Sequence, residues 1–129
     1  MRAFTDEEGR TLRTAVYGAM VLVSVAEEGA LDQESHAGVE AMATLPAAVR
    51  EAVDAGAPEL PSGSVEDVEA GVLAALRASA ALLSRRSAAE AERFADAVVG
   101  MCEKVASADG RVGRDEDAVI GRVRASLGR

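Results

Sequence analysis

Apolar positions recur at helical spacing along most of the chain. Leu12, Val16, Ala19, Val23 and Ala26 follow one another at intervals of four and three residues, which places them on one face of an α-helix. Met20 and Leu22 widen that face almost to the whole circumference, so the helix predicted over 6–26 belongs at the centre of the fold. Thr5 can cap its start, with Glu8 reaching back three residues as a capping box. Glu27-Glu28-Gly29 ends it, because glycine takes the left-handed cap conformation at little cost. A second helix is predicted over 32–44, with Asp32 as N-cap and Val39, Met42 and Ala43 turned inward. Pro46 opens a short third helix over 46–55, and Gly56 closes it.

The stretch 56-GAPELPSGS-64 is the clearest loop, with proline, glycine and serine supplying most of it. A fourth helix starts after Ser64 and runs to about Leu83, with Val68, Val72, Ala75, Ser79 and Leu82 on one face. The fifth starts after Ser87, with Glu90 completing a second capping box. Phe94, Val98, Met101, Val105 and Ala108 form its inner face, and Asp109-Gly110 ends it. The sixth covers 114–127, with Ile120, Val123 and Leu127 inward and Gly128 as its stop. No segment alternates with period two between turn signals, so no sheet is expected. The pattern predicts an all-α fold: one compact domain over residues 1–129, of about six helices, with the first and fifth antiparallel or crossed at its centre.

Composition refines this picture. The chain has 129 residues and is 49% apolar, but only 2% aromatic: Phe4, Tyr17 and Phe94. Small aliphatic side chains suit closely approaching helices better than a β-sandwich. All basic residues but Lys104 are arginine, which with the alanine and glycine load suggests a GC-rich bacterial genome. The net charge of −8 repels nucleic-acid phosphates and anionic lipid, and favours cations or basic partners. No nucleic-acid partner is therefore expected. Cys102 is the only cysteine, so an internal disulfide is impossible and a reducing, cytoplasmic setting is the expectation. The polar start MRAFTDEEGRTLR does not read as a secretory signal. The uncharged run 15-AVYGAMVLVSVA-26 is shorter than the roughly 17–25 residues of a membrane span, so no direct membrane insertion is expected.

The chain also echoes itself. At an offset of 82, 15-AVYG-18 aligns with 97-AVVG-100. At an offset of 81, Glu28-Gly29 aligns with Asp109-Gly110, and Leu31 with Val112. Two helix–acidic-glycine-turn–helix units thus flank the middle helices, in halves 5–55 and 65–128, as a pseudo-symmetric pair sharing one core. Chance similarity between two alanine-rich helices is the rival explanation.

The turn 106-ASADGRVGRDE-116 and its weaker copy 26-AEEGALDQES-35 resemble the tellurite-resistance TerB-like family. In that family two buried helices each end in a segment like A-A-D-G-x-I-x-x-x-E. Asp109, Gly110, Val112 and Glu116 fall on the motif positions. In the first copy Glu28 stands for the Asp, Gly29 and Leu31 fit, and Ser35 replaces the closing Glu, with Glu34 one position earlier as a substitute. The resemblance runs from Phe4 to Gly128, and only the second motif is sharp. It implies a compact all-helical fold, a stress-response accessory role of the tellurite-resistance type, and metal binding at the acidic turns.

The residues themselves allow two readings of those turns. Carboxylates of Asp109, Glu116 and Asp115, and in the first turn Glu28 and Glu34, are oxygen ligands of the kind that Ca²⁺ or Mg²⁺ takes. Glu27 and Asp32 are further donors at the first turn. The second turn is too short for an EF-hand and lacks its intermediate ligands. The other reading is punctuation: Asp115, Glu116 and Asp117 stand at a helix N-terminus, where acids are favoured by about 0.3–1 kcal/mol each without any metal. His36 is the single histidine and reads as a partly exposed polar residue, so a Zn²⁺ site would need mostly carboxylates. Cys102 falls in the predicted core, where a thiol behaves as a small hydrophobe. No nucleophile elbow, Ser-His-Asp set or phosphate-cradling glycine loop is present, so no enzymatic activity is expected. Two functions fit: a cation-binding, TerB-like accessory protein, or a metal-independent acidic helical module that binds a protein partner or forms a homodimer.

Overall fold

The computed structural model describes residues 4–25, 44–56, 60–106 and 114–128. Among them are five helices and no strand: α1 (Asp6–Val25), α2 (Ala47–Asp54), α3 (Val65–Arg86), α4 (Ala88–Ala106) and α5 (Arg114–Ser126). The all-α expectation holds. The helix predicted over 32–44 lies outside the described residues.

Each helix start reflects local chemistry. The Thr5 hydroxyl accepts from the Glu8 N–H at 3.1 Å, and the Thr5 N–H donates to the Glu8 carboxylate at 2.8 Å, which is the expected capping box. Ser64 and Asp67 make the same reciprocal pair at the start of α3. The box expected from Ser87 and Glu90 is only half made. Ser87 Oγ accepts from the Glu90 N–H at 3.3 Å, but the Ser87 N–H is already spent on the Leu83 carbonyl at 2.8 Å. Ser87 alone links α3 to α4, so its backbone closes one helix while its side chain opens the next. Glu90 pairs instead with Arg86, one turn back, at 3.2 Å. For the same reason α3 continues to Arg86, one turn-part beyond the predicted Leu83.

Helix α1 is central, in contact with all four other helices and most extensively with α3. Its face of Leu12, Val16, Ala19 and Val23 is wholly buried, and Ala15 and Leu22 broaden it. On α3 the expected Val72, Ser79 and Leu82 are buried, and the face extends further, to Leu76 and Leu83. Val72, Leu76, Ser79 and Leu83 lie deepest, while Val68 and Ala75 are half-buried against the core. Phe94, Val98 and Met101 on α4, and Ile120 and Val123 on α5 with Leu127 just beyond it, enter the same core as predicted. The short α2 docks on α1 through Val49 and Val53, four residues apart and therefore on one face. Phe4 is buried at the chain's start, and the Arg86 guanidinium lies 4.5 Å from its ring centroid, a cation–π contact that ties the start of α1 to the end of α3.

Gly18 sets how close α1 and α3 come. A Cβ there would lie 2.5 Å from Val72 Cγ2 and 2.9 Å from Cγ1, well inside van der Waals contact. Its counterpart in the internal alignment, Gly100, has nothing within 4 Å of such a Cβ. Two glycines in similar helices therefore carry opposite expectations. Gly18→Ala should lower stability by about 1–3 kcal/mol through overpacking. Gly100→Ala should raise it by about 0.5–1 kcal/mol through helix propensity. Urea unfolding midpoints measure both, and a gain at Gly18 equal to that at Gly100 would contradict the close approach.

Candidate functional site

Asp109, Glu28, Glu34 and His36 lie outside the described residues, as do Glu27 and Asp32. Asp115 and Glu116 stand on the first turn of α5, and their side chains are outside the described set. Asp117, the next residue, is exposed. Among the described residues no group of three or more His, Cys, Asp or Glu side chains is placed to hold a metal ion. What is described is the frame around the second acidic turn. Helix α4 enters it and α5 leaves it, both helices pack on the common core, and they contact each other.

Acids elsewhere have visible duties. Glu8 and Asp67 cap helix starts, Glu69 accepts from Arg122 Nε at 2.6 Å to join α3 to α5, and Glu90 pairs with Arg86. Exposed pairs of this kind contribute little stability, typically below about 1 kcal/mol, but they fix side-chain geometry.

Cys102 is buried where α4 meets α1, with its Sγ 4.0 Å from the Ala19 carbonyl oxygen, the long limit of a sulfur hydrogen bond. Burial, and secondarily the Glu103 carboxylate, push its thiol up from 9.0 to about 12. A neutral, covered thiol is a poor nucleophile. This matches the reading of Cys102 as a small core hydrophobe.

Periodicity gave no sign of a cleft of about 350 Å³ between the first turns of α1 and helix α2. Phe4, Gly9, Ala48 and Ala52 give it small or apolar walls, while Arg10, Arg13, Asp6 and Glu51 bring charge of both signs. Arg13 organises it. Its Nη1 donates to the Ala52 carbonyl at 2.9 Å, in the last turn of α2, where unsatisfied carbonyls carry partial negative charge. Its Nε is covered and has no hydrogen-bond partner. No local pattern in the sequence could have located it, because the Arg13–Ala52 contact spans 39 positions.

No protein-family model, no curated protein and no solved structure matches the chain. No helix among the described residues is long and apolar enough to cross a membrane.

Two outcomes follow from these side chains. Alkylation of Cys102 by iodoacetamide at pH 8 should be far slower in the folded protein than in the unfolded one, because burial both covers the thiol and keeps it protonated, and should follow unfolding. The unfolded chain loses the thiol proton near pH 9 and the folded one near pH 12, so between these values Cys102 lowers stability as pH rises. Rapid labelling under native conditions would show that the thiol is reachable without unfolding. Separately, Arg13→Met removes the cap on α2 and should cost about 1 kcal/mol, with reduced amide-exchange protection over 47–54. Unchanged protection there would mean that α2 is held by Val49 and Val53 alone.

Proposed function

We propose that the chain is a TerB-like stress-response accessory protein of the tellurite-resistance type. It acts in the cytoplasm, without catalysis, by binding a divalent cation of the Ca²⁺ or Mg²⁺ class and a protein partner at its acidic turns. The observation that carries this reading is the match between α1 and α4. Their first residues, Asp6 and Ala88, are 82 positions apart, the offset at which 15-AVYG-18 aligns with 97-AVVG-100. Buried positions coincide as well: Leu12 with Phe94, Ala15 with Ala97, Val16 with Val98 and Ala19 with Met101. The two helices also touch near equivalent points, at Ala19 and Cys102, as a pseudo-twofold pair does. Each is followed in sequence by an acid-glycine segment. This supports a pseudo-symmetric arrangement in which the turns are the repeated feature.

In this reading Asp109, Glu116 and Asp115 supply carboxylate oxygens at the second turn, and Glu28 and Glu34 at the first. A bound cation would offset the local negative charge and bias the angle between α4 and α5, changing the surface shown to a partner. A metal-independent acidic interaction module is the second reading. It is favoured by the capping duties of Glu8 and Asp67, since Asp115–Asp117 occupy the equivalent place at the start of α5.

A backbone-amide NMR titration with Ca²⁺, Mg²⁺, Mn²⁺ and Zn²⁺ separates the two. The cation reading expects saturable shifts over 107–117 that vanish in Asp109→Ala. No shift with any ion, together with association that weakens as salt rises, would overturn it in favour of the metal-independent module.

A further inference from the structure

We draw no further inference here: the strongest candidate, the cleft of about 350 Å³ between the first turns of α1 and helix α2, carries nothing because its lining brings charge of both signs, Arg13 already donates to the Ala52 carbonyl, and nothing in the structure shows what fills it.

Discussion

The close approach of α1 to α3 is the contact on which the rest depends. A core poor in aromatic rings has few side chains long enough to bridge widely spaced helices. Dispersion contact is lost within a fraction of an ångström of added separation, so helices lined with alanine and valine must come close to gain it. Gly18 opens the space into which Val72 fits. Once α3 is seated, α1 is covered on one side, and its remaining apolar faces receive α2, α4 and α5. A similar device recurs at the start of α3, where Gly71 leaves room for Pro61: a Cβ there would lie 2.5 Å from Pro61 Cγ. The loop that precedes α3 is thereby laid against the helix it introduces.

Charge is used mainly at helix ends, where backbone groups lack partners. Thr5 with Glu8 and Ser64 with Asp67 satisfy N–H groups, and Arg13 satisfies a carbonyl at the far end of α2. Ser87 shows the economy of the arrangement, since a single residue ends α3 by its backbone and starts α4 by its hydroxyl. Arg86 then serves both sides of that junction, stacking on Phe4 and pairing with Glu90. A strongly acidic chain can spend many carboxylates this way and still keep a net charge of −8.

Much of the helical framework was legible because its causes are local. Capping residues at Thr5, Ser64 and Ser87 marked three starts, and four-three spacing marked the buried faces of α1, α4 and α5. On α3 the spacing found only part of the buried face. Val72, Ser79 and Leu82 of the expected face are buried, but the spacing left out Leu76 and Leu83, which are buried as deeply, and placed Val68 and Ala75 further in than they lie. The second capping box failed because a pattern of residue types cannot reveal that the Ser87 N–H is already engaged. The cleft beside α2 was illegible for a related reason: it exists only when residues distant in sequence meet. The acidic turns were conspicuous in sequence through composition, and the residues that would define their geometry lie outside those described.

The two halves of the internal alignment differ in a way that bears on function. Gly18 is filled by Val72, whereas a Cβ at Gly100 would meet nothing within 4 Å, so the first helix is closely packed at that point and the fourth is not. Motif quality runs in parallel in the sequence: the segment that follows α4 has Asp109 and Glu116, while the one that follows α1 has Glu28 and Ser35. Under the proposed function this division has a physical logic. A cation that tunes an interhelical angle has leverage only where a helix can move without breaking the core. Helix α4 is open at Gly100 but anchored in the core by Phe94, Val98 and Met101, so such leverage is confined to small rotations and does not extend to displacement of the helix.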